Sequence, residues 1–127
     1  MNFILYDEEE FKEYLETLPI KVRARVLALI DVIEEIGLVE AMKKGWVSKL
    51  GNNLYEIRLE MNGLFPRAIF FKVAVKHSNA GPEYVITNVF SKKTNKTPKT
   101  EISKAIGRRR RYTKLYWYSK ISIYLTI

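Results

Sequence analysis

The chain has 127 residues, 47% of them hydrophobic and 28% charged, with no cysteine and one histidine. That size and balance predict one globular domain over residues 1–127 and exclude disulfides and thiolate metal sites, while a lone His77 argues against zinc, which draws on several His or Cys ligands. The net charge of +8 is uneven, with 8 Lys/Arg against 12 Asp/Glu in residues 1–63 and 14 against 2 in residues 64–127, so the second half either meets an anionic partner or simply carries a basic surface.

The N-terminus has no basic leader and turns acidic at Asp7, and no apolar run approaches the ~20 residues of a membrane span. The expectation is a cytoplasmic protein without membrane contact. Residues 2–6 read as a short strand. Asp7 then has the form of an N-cap, with Glu10 as the other half of a capping box. Phe11, Tyr14, Leu15 and Leu18 follow at helical spacing. Pro19 suits the first turn of a second helix, with Val22, Val26, Leu29, Ile30 and Ile33 on its buried face and Lys21, Arg23, Arg25 and Glu34 toward water. Gly37 stops that helix, and a short turn from Val39 to Lys44 ends at Gly45.

Strands come next. Residues 48–50 lead through Gly51-Asn52-Asn53 into an alternating run, residues 54–59, with Tyr55, Ile57 and Leu59 on one face and Leu54, Glu56 and Arg58 on the other. Asn62-Gly63 marks a turn. Residues 67–75 and 84–90 are further strands, with a loop at 77–82, and the three long runs should form an antiparallel meander.

An apolar run then gives way to residues 90–100, which contain Lys92, Lys93, Lys96 and Lys99, three threonines, Asn95 and no acid. Such a segment suits phosphate oxygens better than a core. Thr97-Pro98 reads as an N-cap and first helical position. The helix after it buries Ile102, Ala105 and Ile106, then continues or frays through Gly107 into Arg108–Arg111. The tail from Tyr112 holds five aromatics and ends in an alternating stretch, residues 121–127, read as an extra strand or as a base-stacking surface.

Leu50-Gly-Asn-Asn-Leu-Tyr-Glu-Ile-Arg58, then Gly63 and Arg67-Ala-Ile-Phe-Phe71, then Val89-Phe-Ser-Lys-Lys-Thr-Asn-Lys-Thr-Pro98 with Glu101-Ile and Ala105, together resemble the RelE/ParE toxin superfamily and within it the HigB-like branch. The resemblance spans about residues 3–112 and leaves 113–127 divergent. It implies an α+β fold in which an N-terminal helical hairpin packs on an antiparallel sheet, with a C-terminal helix. It also implies a toxin of a type II toxin–antitoxin system, which cleaves mRNA at the ribosome without metal or other cofactor. A cognate antitoxin with a helix-turn-helix domain would neutralise it, and DNA would be met only through that complex.

Carried onto this sequence, the resemblance makes Arg67 a phosphate-binding arginine and puts Arg58, Lys92 and Lys93 at functional positions. A tyrosine that some members carry after the basic turn is missing here. Lys99 stands roughly in its place, and Tyr112 is a candidate to replace it in space. RNA cleavage of this kind needs the ribose 2′-OH to attack the adjacent phosphorus while charge builds on the phosphate oxygens, a task for positioned cations. Arg67 and Arg58 offer planar charged forks, and Lys92 or Lys93 a clamp or general acid. Lys96, Lys99, Arg108, Arg109 and Tyr112 are expected to touch RNA. The plainer alternatives are that Arg58 pairs with Glu56 or Glu60 and that Lys92 and Lys93 form a solvated turn. The rival functions are a gyrase inhibitor of ParE type and an inactive RNA-binding protein of phage origin.

Overall fold

The computed structural model describes residues 1–73, 81–94 and 96–126, with the backbone alone for residue 117 and residues 119–126. His77, Asn95, most of the expected loop 77–82 and the end of the expected strand 67–75 lie outside the described residues. The order of elements is β1 (Asn2–Leu5), α1 (Glu8–Glu16), α2 (Ile20–Ile36), α3 (Leu38–Lys43), β2 (Val47–Gly51), β3 (Leu54–Arg58), β4 (Pro66–Lys72), β5 (Glu83–Ser91) and α4 (Lys99–Thr126). The fold is α+β, as expected.

The five strands form one sheet in the order β1-β5-β4-β3-β2. The β2–β3, β3–β4 and β4–β5 pairs are antiparallel, and β1 lies parallel to β5 at the edge. Local turn chemistry closes the hairpins. Asn52 and Asn53 both have positive φ, as do Asn62 and Gly63, the geometry that tight two-residue hairpins require and that Asn and Gly adopt most cheaply.

Both faces of the sheet are covered. One carries Ile57, Ala68, Phe70, Tyr84 and Ile86 against Leu29 and Ile33 of α2 and Ala41 of α3. On the other, Leu54, Ile69, Phe71, Val85 and Phe90 meet Ala105 of α4. Helix α1 adds Phe11 and Leu15 to a third cluster with Leu18 and with Val22 and Val26 of α2.

The helix ends follow the sequence in part. Asp7 caps α1 by accepting from the Glu10 amide at 3.0 Å. Glu10 does not close the capping box, however, because its carboxylate bonds Arg108 and Lys104 of α4 at 2.6 and 3.1 Å. Arg23 is half-buried rather than fully turned to water: its guanidinium donates to the carbonyls of Leu15 at 2.8 Å and Leu18 at 3.1 Å, and so ties α2 to the end of α1 and the turn after it. Glu34, also expected on the surface, accepts from the Phe3 amide at 2.8 Å and ties α2 to β1.

The expected strand in the tail is replaced by helix: α4 runs on through Gly107 and the arginines to Thr126. Once its first half is packed on the sheet, each added residue gains a hydrogen bond without a new nucleation cost, and this outweighs the period-two pattern. Thr97 is not the cap that Thr97-Pro98 suggests. The helix starts at Lys99, the carbonyl of Pro98 accepts the first helical bonds, and the Thr97 hydroxyl turns to the sheet. Among the described residues no helix is long and apolar enough to cross a membrane.

Candidate phosphate-binding site

The site forms at the end of the sheet where β3 finishes, β4 begins and β5 gives way to the basic loop. Register sets it up. Arg58 sits directly opposite Arg67, and Arg67 opposite Phe90. Two like charges facing each other across a ladder repel, so the arrangement calls for an acid nearby. Glu56, two residues before Arg58 on β3, supplies it.

Glu56 is the buried centre of the cluster, only 1% exposed, with Arg67 at 7% and Lys92 at 6%. One carboxylate oxygen lies 3.5 Å from Arg67 Nε and 3.9 Å from Lys92 Nζ. The other accepts from the Thr97 hydroxyl at 2.6 Å. Arg67 is further anchored by Nη1, which donates to the carbonyls of Leu59 at 2.7 Å and Pro66 at 3.0 Å, while its buried Nε makes no hydrogen bond. Lys92 is held by its backbone, whose amide donates to the Phe65 carbonyl at 2.9 Å.

Burial pulls the Lys92 ammonium below the ordinary lysine value; Glu56 opposes that, and Arg67 and Arg58 add to it. Burial likewise lowers Arg67, with Glu56 opposing. The cluster therefore keeps cations under electrostatic pressure, which an incoming anion relieves.

Two clefts open beside it. The smaller, about 200 Å³, is lined by Arg58, Glu60, Phe65, Arg67, Lys92, Lys93 and Thr94. The larger, about 470 Å³, shares Arg58, Glu60 and Arg67 and adds Arg25 and Trp46 among its walls. All four residues expected to act on the phosphate, Arg58, Arg67, Lys92 and Lys93, thus come together at one cleft.

The expected RNA contacts do not all join them. Lys96 and Lys99 are exposed on the loop and the first turn of α4, outside both clefts. Arg108 lies inside the fold: it bonds Glu10, donates to the Thr87 carbonyl at 2.7 Å and stands over the Tyr6 ring at 5.0 Å. Arg109 donates to the Asn52 carbonyl at the β2–β3 turn. Tyr112 packs edge-on against Phe71, near the opposite end of β4 from Arg67. It does not fill the place of the missing tyrosine, and burial raises its hydroxyl pKa.

Four participants have other readings in the sequence: Glu56 and Glu60 stand there as partners for Arg58, Thr97 as a helix cap, and Trp46 carries no motif. The apolar Leu54, on the same face as Glu56, was the signal that this face is covered rather than wet. Tyr14 also reaches this end of the sheet, its hydroxyl 2.9 Å from Ser91 Oγ.

This arrangement of helices, a five-stranded mostly antiparallel sheet and a C-terminal helix is a RelE-like α+β fold. The family model described as phage derived protein Gp49-like (DUF891) matches residues 13–110, and the chain belongs to that family, a member of the RelE/ParE-like toxins. The match contains the whole candidate site and stops just before Tyr112 and the divergent tail. No curated protein sequence matches the chain.

Proposed function

We propose that the chain is the toxin of a type II toxin–antitoxin system and acts as a HigB-like, metal-independent endoribonuclease on mRNA in the cytoplasm. The observation that carries this reading is the pair of nearly buried cations, Arg67 and Lys92, held around Glu56 at the wall of an open cleft. Burying charge is expensive. A fold gains little from doing so at a cleft wall unless the cations meet an anion there, and Arg58 and Lys93 line the same cleft.

In the proposed reaction the scissile phosphate enters this cleft between the arginines. The ribose 2′-oxygen forms a bond to phosphorus and the bond to the 5′-oxygen breaks, which leaves a 2′,3′-cyclic phosphate and a 5′-hydroxyl. Arg67 and Arg58 stabilise the charge that develops on the non-bridging oxygens. Lys92, with its lowered proton affinity, gives its proton to the departing 5′-oxygen. Glu60 lines the same cleft and takes the 2′-proton. Action on translating ribosomes and neutralisation by a helix-turn-helix antitoxin complete the reading.

The test is induction in a bacterial host with mapping of mRNA 5′ ends, wild type beside Arg67→Ala and Lys93→Ala. New ends within translated messages, absent from the folded variants, are expected. Growth arrest with intact messages would move the target to a protein such as gyrase, and absence of arrest from folded protein would overturn the toxin reading.

A further inference from the structure

The larger cleft has a chemistry that phosphate binding does not use. It is lined by Trp46, half-buried, together with Arg25, Arg58 and Arg67. Trp46 is fixed at the edge of the same cross-strand row as the arginines: its carbonyl accepts from the Arg58 amide at 2.8 Å, and its own amide donates to Ala41 at 3.0 Å. The exposed Lys44 stands over the ring, Nζ 5.5 Å from the centroid. One face of the indole therefore meets a solvated cation instead of core. At about 470 Å³ the cleft falls in the range of small-molecule sites, roughly 300–1,000 Å³, whereas a phosphate needs only the smaller cleft next door.

We propose that this cleft is a nucleobase subsite, in which an unpaired RNA base next to the phosphate held at Arg67 and Arg58 stacks on Trp46. The inference rests on the nuclease reading and adds how the strand is positioned. Single strands are bound by aromatic platforms that take a base face, combined with cations that track the backbone. Here the two clefts share Arg58 and Arg67, so base and phosphate of adjacent positions are seated by one pair of arginines. Arg25, on α2, lines the same cleft.

The test uses the full chain carrying Trp117→Phe, so that Trp46 is the sole tryptophan, and titrates a 2′-O-methyl dinucleotide that cannot be cleaved. Stacking predicts quenching of Trp46 emission by the dinucleotide and little by inorganic phosphate. Trp46→Leu, which keeps apolar bulk without the ring system, should weaken dinucleotide binding about 5- to 150-fold, while Trp46→Phe keeps most of it; inorganic phosphate affinity should stay level in both. Circular dichroism identifies any variant that fails to fold, and Trp46→Phe then carries the comparison. Equal quenching by phosphate and dinucleotide, or unchanged dinucleotide affinity in folded Trp46→Leu, would overturn the subsite. The two readings fail separately. Cleavage of messages with an unaltered KM in Trp46→Leu removes the subsite and keeps the nuclease; quenching by the dinucleotide without any cleavage of messages keeps the subsite and removes the nuclease.

Discussion

Glu56 Oε1 lies 3.5 Å from Arg67 Nε with both side chains almost fully buried, and its second oxygen is fixed at 2.6 Å by Thr97. The loop before α4 thereby holds the acid that holds the arginine. Removing one partner of a buried ion pair typically costs about 3–5 kcal/mol, because the remaining charge is stranded. Glu56→Gln should lose stability on that order, since it leaves Arg67 and Lys92 facing each other without an acid. Urea unfolding of wild type, Glu56→Gln, Arg67→Met and the double variant measures it. The double variant should lose less than the sum of the two singles; additive losses would show that the pair is not coupled.

Lys92 supplies a pH signature. Its pKa is lowered, first by burial and then by Arg67 and Arg58, against the pull of Glu56. A general acid must carry its proton, so cleavage should fall as pH rises through a value below the ordinary ~10.4 of lysine. Glu56→Gln removes the opposing influence and should move this alkaline limb to lower pH. Lys92→Arg, charged throughout the range, should abolish the limb and slow cleavage. The same shift acts on stability: the unfolded chain holds this proton more tightly, so this residue's contribution rises with pH until both states are deprotonated. A limb at the same pH in all three proteins would assign the proton transfer elsewhere.

Much of the fold could be read from local signals, and the failures share a physical cause. Asp7, Gly37, the Asn52-Asn53 turn and the apolar stripes of α1 and α2 are decided by residues within one or two turns of each other, and the structure repeats them. The parallel placement of β1 beside β5 depends on a partner some 80 residues away, which local pattern does not encode. Arg108 shows the same limit. Within a run of four arginines it looked like surface, yet its partner Glu10 belongs to the other end of the chain. Lys92 and Arg67 were legible through the resemblance, but their burial was not, because they close on Glu56, which sits on a strand face that alternation alone presents as half polar and whose second oxygen is held by Thr97, 41 residues on. The tail failed differently. Its alternating residues favour a strand only if a neighbouring edge accepts one, and an anchored helix extends without any neighbour.

Gly107 lies inside α4, and among the described residues a Cβ placed on it would meet only Arg111 Nη2, at 3.9 Å. Glycine costs about 0.8–1.0 kcal/mol relative to alanine in a helix interior. Gly107→Ala should therefore stabilise the protein by about 1 kcal/mol and raise Tm by roughly 4 °C for a domain of this size. Thermal unfolding checks it; a lower Tm would mean that the glycine serves close packing that open space at this position does not suggest.

Acid should loosen the clamp between α1 and α4. The hydrogen bond from Arg108 is the largest cause holding the Glu10 carboxyl below its ordinary value; Lys104 adds to it and burial opposes. A carboxyl with a depressed folded pKa gives stability that is complete above its unfolded value, about 4.3, and is lost as pH falls toward the folded one. Glu10→Gln should thus be less stable than wild type at neutral pH, with the gap closing as pH drops below about 4. The effect is a modest one, since the Glu10 side chain is 30% exposed and partly screened. Chemical denaturation from pH 7 to pH 3 follows the gap. Parallel curves for the two proteins would show that the carboxylate charge contributes nothing and that Arg108 is retained for its bond to the Thr87 carbonyl and its packing on Tyr6.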